Sequence, residues 1–125
     1  MEFNEEQVMS LSVVIITLNA AEHIRMCLES VKWAEEIVVL DSGSTDNTVT
    51  ICKEYTSNVH QTDWPGFGRQ KNRAIDHATK DWILVLDADE YLTPELQTEI
   101  RSVITKPTDK TAYQIRRLST LDRKS

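Results

Sequence analysis

The chain has 125 residues, of which 40% are hydrophobic and 27% are charged, and its formal net charge is −6, with a pI near 5.0. A chain of this length is the size of one ordinary domain and can bury a single core. The acidic balance argues against a surface that binds nucleic acid or an anionic membrane.

The first half of the chain alternates short apolar runs with segments of helical periodicity. "LSVVIITL" (11–18) is β-branched and too short for a buried helix, so it predicts a strand. Segment 20–33 follows with apolar residues at helical spacing and predicts a helix. "EIVVLD" (36–41) predicts the next strand, and segment 44–55 predicts a second helix behind several possible N-cap residues.

The same alternation continues in the second half. We predict a short strand in "NVHQT" (58–62), a helix over 66–79, a strand in "WILVLD" (82–87), a helix from Pro94 to about Ile104 and a strand in "TAYQIRR" (111–117). The third helix carries these residues at helical spacing: Phe67, Lys71, Ala74, Ile75 and Ala78. "TKPTDK" (105–110) has the composition of a loop.

Strands that alternate with helices through short connections predict an α/β fold, with a mostly parallel sheet and helices on both faces. We expect one domain over residues 11–118, preceded by a polar N-terminal extension (1–10) and followed by a polar tail (119–125).

The cysteines and the N-terminus indicate the compartment. Cys27 and Cys52 are far apart, with no CxxC motif, so we interpret both as reduced core residues. The first ten residues are acidic and lack the layout of a signal peptide, and no apolar run approaches the ~20 residues that span a bilayer. We therefore expect a cytoplasmic protein.

Polar residues follow each of the three long predicted strands. In open parallel sheets the ligand site lies outside the carboxyl ends of the strands, so we expect these side chains to converge on one crevice. They are Thr17 and Asn19, then Asp41 and Ser42, then Asp87 and Asp89.

The run "LDADE" places three acids within four residues, Asp87, Asp89 and Glu90. Because side chains alternate along an extended backbone, we expect Asp87 and Asp89 to point to one side. A hard divalent cation, Mg²⁺ or Mn²⁺, held between carboxylates and a diphosphate would relieve their repulsion. The alternative is that these acids cap the helix near Pro94 or face solvent.

Structural roles are open for other polar residues as well. Asn19 with Glu22 forms a capping-box pattern, which could coexist with a ligand contact. Ser44 and Asp46 are interpreted as caps or turn formers, because the chain must turn through Gly43 before a helix starts.

Three blocks, "VVIITLNAAEHI", "IVVLDSGSTDNT" and "GRQKNRAIDHATKDWILVLDADE", occur in this order over about residues 11–118. Together they resemble the family 2 glycosyltransferases, whose nucleotide-sugar domain is of the GT-A type. More narrowly, they are similar to the bacterial lipopolysaccharide-core glucosyltransferases. The resemblance implies a Rossmann-like GT-A fold that stops before the acceptor half of such enzymes.

The resemblance also implies roles for the polar strand ends. Thr17, Asn19 and Asp41 would hold the nucleoside, Asp87 would lie near the ribose, and Asp89 would bind the metal.

Three residues of the helix before the fourth predicted strand (82–87) would contact the diphosphate or the donor sugar. They are Arg69, Lys71 and Asn72. One position departs from many relatives, which have a second acid where this chain has Ser42. The departure leaves open which side chain reads the base.

The implied activity is the transfer of a hexose, with inversion, from a nucleotide-diphosphate sugar to a glycan or lipid-linked acceptor such as a lipopolysaccharide core. The donor would be UDP-linked and the cofactor Mg²⁺ or Mn²⁺, with the enzyme cytoplasmic or peripheral at the inner membrane face. Relatives supply the general base from a segment downstream of the D-x-D motif, so we expect it beyond Ser125 and assign no catalytic residue. The alternative is a non-catalytic module that binds nucleotide sugars. The donor sugar, the acceptor and the oligomeric state stay open.

Overall fold

A computed structural model describes residues 10–104 and the backbone of residues 112–115 and 119–123. Its elements, in chain order, are β1 (Leu11–Thr17), α1 (Ile24–Val31), β2 (Glu36–Asp41), α2 (Thr48–Cys52), β3 (Val59–Gln61), α3 (Phe67–His77), β4 (Trp82–Asp87), α4 (Pro94–Ile104), β5 (Ala112–Ile115) and β6 (Ser119–Arg123). The expected N-terminal extension, apart from Ser10, and the "TKPTDK" segment lie outside the described residues.

The strands form one six-stranded sheet in the order β3-β2-β1-β4-β6-β5. The first four of these strands are parallel, whereas β6 pairs antiparallel with both β4 and β5. The predicted mostly parallel sheet is therefore confirmed. Its central strand β1 consists entirely of buried residues, as expected for a strand covered on both faces.

Two apolar clusters pack on opposite faces of the sheet. Alternate strand residues such as Val13 and Ile15 face the cluster that includes α1, α2 and α4, whereas Val14 and Ile16 face the cluster that includes α3. Burial of one Leu or Ile side chain contributes about 1.5–3 kcal/mol, so these clusters are the main stabilising element. Helices on both faces of the sheet, as predicted, follow from this alternation.

Both cysteines are buried and free, as expected for core residues. Burial raises the pKa of Cys27 and of Cys52 to about 12, so neither thiol is a nucleophile at neutral pH. No helix in the described ranges is long and apolar enough to cross a bilayer.

The structure corrects the predicted polar tail. Residues Ser119–Arg123 form β6, which pairs with β4 from Trp82 to Leu84. The segment has few apolar residues, and the apolar pattern that marks the other strands is absent from it. Its backbone pairing with β4 and β5, which periodicity does not encode, makes it a strand.

The inward face of α3 also differs from the predicted one. Phe67 is 50% exposed, whereas Gln70 and Ala74 are fully buried. Ala74 and Ala78 are buried and Ile75 packs against the same cluster, so this part of the predicted face is confirmed. The prediction is wrong for Phe67, and it missed Gln70 because a buried polar residue was not expected on the face toward the sheet.

Candidate functional site

The carboxyl ends of three strands lie side by side in the sheet. Thr17, the last residue of β1, is the register partner of Asp41 at the end of β2. On the other side of β1, Ile16 pairs with Asp87, the last residue of β4. The structure therefore brings Thr17, Asp41 and Asp87 to one edge, as the sequence predicted.

Asp41 is fully buried at this edge, and its carboxylate accepts four hydrogen bonds. Oδ1 accepts from Thr17 Oγ1 and Ser44 Oγ, both at 2.6 Å, and Oδ2 accepts from the backbone N–H groups of Gly43 at 3.1 Å and Ser44 at 2.8 Å. Burial acts to raise the pKa of Asp41, but the hydrogen bonds outweigh it and lower the pKa. A nucleoside contact by Asp41 stays a prediction, and it would use a carboxylate that already organises the turn after β2.

Asn19 has a backbone φ of 50°, in the left-handed region that Asn tolerates better than most residues. Its side-chain Oδ1 accepts a 2.8 Å hydrogen bond from the N–H of Thr45, and its own N–H donates to Ser44 Oγ at 2.7 Å. The predicted capping box with Glu22 is wrong, because α1 starts only at Ile24 and has no side-chain cap. Asn19 joins two loops instead.

The two loops are residues 18–23 and 42–47, called the paired loops below. Asp46 Oδ2 accepts from the N–H of Ala21 at 3.2 Å, and Thr48 Oγ1 accepts from the N–H of Ala20 at 2.8 Å. Asp46 Oδ1 also accepts from the N–H of Thr48 at 3.0 Å, which confirms the turn-forming role predicted as one of its two alternatives, since the N-cap of α2 is Asn47. The paired loops therefore form one hydrogen-bonded surface beside the strand ends.

Gln70 was not identified from the sequence. Its buried Nε2 donates to Ser42 Oγ at 2.8 Å and to Thr62 Oγ1 at 2.7 Å, so it fixes α3 to the ends of β2 and β3. Arg73 donates to Gln70 Oε1 at 3.3 Å and to Asp63 at 2.7 Å. The four-residue spacing from Gln70 to Ala74 could have indicated that Gln70 is buried on the same helix face. We did not expect this because Gln70 is polar.

The three acids form a turn, residues 87–90, called the acidic turn below. β4 ends at Asp87, and the chain turns through Ala88 and Asp89. The alternation predicted for Asp87 and Asp89 is therefore wrong, because Asp89 is not in extended backbone. Both acids are nevertheless exposed, whereas Ala88 is only 8% exposed and packs in the core.

The acids do not cap α4. Thr93, just before the helix, takes that role, because its Oγ1 accepts from the N–H of Leu96 at 3.2 Å. The carboxylates of Asp87 and Asp89 thus serve no helix end among the described contacts. The helix-cap alternative to a ligand site is excluded.

Helix α1 contacts the acidic turn and the residues that follow it. Cys27 Sγ lies 3.8 Å from the carbonyl oxygen of Asp87, and Ser30 Oγ accepts from the N–H of Leu92 at 3.0 Å. Cys27 and Ser30 are three residues apart and so lie on one helix face. One buried face of α1 thus contacts Asp87, the first residue of the turn, and Leu92, two residues after its last.

The side chains of the turn are mainly acidic, and Lys71 on α3 is a cation near them. Partial burial and the Asp89 carboxylate raise the pKa of Asp87, and Lys71 on α3 partly offsets this effect. Lys71 therefore lies near Asp87, and its contact with the diphosphate or the donor sugar stays a prediction. Arg69 and Asn72, on the same helix, are exposed.

The acidic turn fits a divalent cation that keeps some of its waters. Among the described residues, no three His, Cys, Asp or Glu side chains come together as a metal-binding group. Mg²⁺ needs only one or two carboxylates when substrate phosphates supply further oxygens, and two neighbouring exposed carboxylates meet that requirement. Asp89, with Asp87 beside it, would hold the ion.

The sheet order, with polar strand ends beside hydrogen-bonded loops, defines an open α/β architecture, in which ligand sites lie at the carboxyl ends of the parallel strands. Residues 12–123 match the family described as Glycosyl transferase family 2, and this chain belongs to that family.

Curated relatives support the assignment. The chain is 46% identical over 99 residues to a TPR repeat-containing protein of Synechococcus elongatus, with 78% of this chain and 25% of the relative covered. It is 40% identical over 111 residues to an uncharacterized glycosyltransferase of Rickettsia felis, covering 86% of this chain and 39% of the relative. It is 30% identical over 112 residues to the lipopolysaccharide core biosynthesis glycosyltransferase LpsC of Rhizobium meliloti, covering 86% and 42%. The chain thus spans a quarter to about two fifths of these relatives' lengths.

Solved structures share the fold. The mannosyltransferase PcManGT from Pyrobaculum calidifontis, in complex with GDP-Man and Mn²⁺, superposes with a TM-score of 0.70 at 23% identity, covering 87% of this chain and 36% of that one. S. aureus TarS 1–349 in complex with UDP-GlcNAc gives 0.67 at 22% identity, covering 92% and 45%. The fold is therefore GT-A-like, as the resemblance implied.

Proposed function

We propose that this chain is the donor-binding part of an inverting, metal-dependent glycosyltransferase. The donor is a hexose carried on a nucleoside diphosphate, UDP in the first instance, and the acceptor is a glycan or a lipopolysaccharide core. The observation that carries the proposal is the pair of exposed carboxylates, Asp87 and Asp89, beside Lys71 at the carboxyl end of the sheet.

The roles follow from charge and position. Asp87 and Asp89 alone would repel a diphosphate. A cation bound at Asp89 is therefore needed between the carboxylates and the diphosphate. Mg²⁺ or Mn²⁺ held there would neutralise the negative charge that develops on the departing nucleoside diphosphate. Lys71 would add a second positive charge near the diphosphate, with Asn72 on the same helix within reach of the donor.

The paired loops would hold the nucleoside. Leu18 and Asn19 are exposed in the loop that follows β1, whose residue Ile16 is the register partner of Asp87, and the ribose is expected at this edge. Thr17 and Asp41 are buried beneath this surface, so they act chiefly by fixing the loops. PcManGT holds GDP-Man with Mn²⁺, and TarS holds UDP-GlcNAc, which supports a nucleotide sugar as the ligand of this edge.

The similarity to LpsC supports a lipopolysaccharide-core acceptor, and no described residue is assigned as the general base. A second candidate function is a module that binds nucleotide sugars without turnover. Transfer of a labelled sugar to any acceptor by this chain would exclude the second candidate.

The test is calorimetric titration of UDP-, GDP- and dTDP-sugars with and without Mn²⁺. We expect a UDP-sugar to bind best and its affinity to depend on Mn²⁺. Asp89→Asn should lower the Mn²⁺-dependent affinity by about tenfold or more, because it removes charge but keeps shape. Asp76→Asn, an exposed carboxylate on α3, is the matched control. Equal titrations for the parent and Asp89→Asn would refute the metal role.

A further inference from the structure

Glu90 closes the acidic turn by two hydrogen bonds to one residue. Its Oε1 accepts from the backbone N–H of Asp87 at 2.9 Å, and its own N–H donates to the carbonyl oxygen of Asp87 at 3.0 Å. Ala88 and Asp89 lie between the two ends. Glu90 is half-buried, so its side chain lies against the protein rather than in solvent.

The N–H of Asp87 lies beyond the end of a strand ladder. β6 pairs with β4 at Trp82, Ile83 and Leu84, and its described pairing stops there. β1 continues on the other side and pairs Ile16 with Asp87. A backbone N–H at a partly covered strand end needs an acceptor, and the Glu90 carboxylate supplies it where the neighbouring strand no longer does.

This contact limits how Asp89 can move. Ala88 is anchored in the core, and Leu92 is tied to Ser30 on α1, so the backbone is fixed on both sides of Asp89. The hydrogen bond from the Asp87 N–H to Glu90 also fixes the first residue of the turn. Asp87 and Asp89 are both exposed, whereas the side chain of Glu90 folds back onto the backbone of Asp87.

We propose that Glu90 is a positioning residue, which holds the backbone of Asp87 so that Asp87 and Asp89 face the cation and the diphosphate together. The inference rests on the proposed function, and it assigns Glu90 neither to the metal nor to proton transfer. This role requires an acceptor oxygen within hydrogen-bond distance of the Asp87 N–H, and it does not require a negative charge.

Reach and charge can be separated by two substitutions. Glu90→Gln keeps the reach and the Oε1 acceptor but loses the charge. Glu90→Asp keeps the charge but is shorter by one carbon–carbon bond, about 1.5 Å, which breaks a 2.9 Å contact. Glu90→Ala loses both. Glu95→Gln, an exposed acid at the start of α4, reports the effect of removing a nearby charge.

The experiment is calorimetric titration of UDP with Mn²⁺ for the parent and the four variants. We expect Glu90→Gln to stay within about threefold of the parent, similar to Glu95→Gln, since lost surface charges have small effects. Glu90→Asp and Glu90→Ala should each weaken binding by about tenfold or more, as for other residues that orient metal ligands. If Glu90→Gln loses as much affinity as Glu90→Ala, or if Glu90→Asp binds like the parent, the proposal is overturned.

Amide hydrogen exchange at Asp87, without ligand, gives a second readout. Protection of this amide should persist in Glu90→Gln and fall in Glu90→Asp, and equal protection in the two would overturn the proposal. This comparison also remains decisive if Glu90→Ala does not fold. A parent that binds no nucleotide with Mn²⁺ would refute the proposed function, whereas normal binding by all Glu90 variants would refute only the positioning role.

Discussion

The Thr17 hydroxyl donates a 2.6 Å hydrogen bond to Asp41 Oδ1 and thereby joins the last residues of two neighbouring parallel strands. Both residues are buried, and the same carboxylate also holds the backbone of Gly43 and Ser44. A side chain at a strand end thus controls the loop in which the nucleoside is expected to bind.

Asp41→Asn should lower the free energy of unfolding at pH 7 by about 2–3 kcal/mol, because it removes the charge of a buried carboxylate that accepts four hydrogen bonds. The folded-state pKa of Asp41 is depressed, so its carboxylate stabilises the protein above the unfolded pKa of about 3.9. That contribution is lost as the pH falls through the folded pKa. Urea unfolding at pH 7, 5 and 3 should show a difference between parent and variant that shrinks toward acid. A difference independent of pH would contradict this role.

Asp87→Asn should stabilise the free protein and weaken ligand binding. The folded-state pKa of Asp87 is raised, so its contribution to stability is present below about pH 3.9 and is lost as the pH rises through the folded pKa. At pH 7 the parent carries this cost and the variant does not, so we expect the melting temperature to rise by about 2 °C. Affinity for UDP with Mn²⁺ should fall. Asp76→Asn should change neither quantity, and a lower melting temperature for Asp87→Asn would oppose the prediction.

Position 19 should tolerate glycine better than alanine, as measured by the free energy of unfolding. Asn19→Gly keeps the freedom to adopt a φ of 50° and loses the bond from Thr45, whereas Asn19→Ala loses the bond and strains the backbone as well. Asn19→Ala should therefore be about 1 kcal/mol less stable than Asn19→Gly. Urea unfolding of the two variants measures this difference, and equal stability would show that the backbone at Asn19 is not under strain.

Gln70→Leu should lower the free energy of unfolding by about 1–3 kcal/mol, because Ser42 and Thr62 lose a buried donor and Arg73 loses an acceptor. The apolar variant should also loosen α3 from β2 and β3. Urea unfolding tests the first effect, with Asp76→Asn on the exposed face of α3 as a control expected within about 0.5 kcal/mol of the parent. A neutral Gln70→Leu would mean that the amide contributes nothing net at this position.

Local patterns in the sequence were sufficient for the mostly parallel sheet and for the meeting of its polar strand ends. Short apolar runs predicted the strands, and their polar ends predicted where Thr17, Asp41 and Asp87 would meet. The reason is that strand periodicity and the rule for carboxyl ends depend on neighbours in the chain and on topology. The three blocks of resemblance were likewise sufficient to identify the family.

Contacts between residues distant in sequence required the tertiary structure. The N–H group of Thr45, which donates to Asn19 Oδ1, is 26 residues away from Asn19, and the side-chain amide of Gln70 reaches Ser42 across 28 residues. β6 is a strand because β4 and β5 lie beside it, although its sequence is polar. Hydrogen-bond partners are chosen by packing in three dimensions, and one polar residue looks like another in a sequence until its neighbours are known. For the same reason, only the structure separated Glu90, which folds back onto Asp87, from the two acids that face outward.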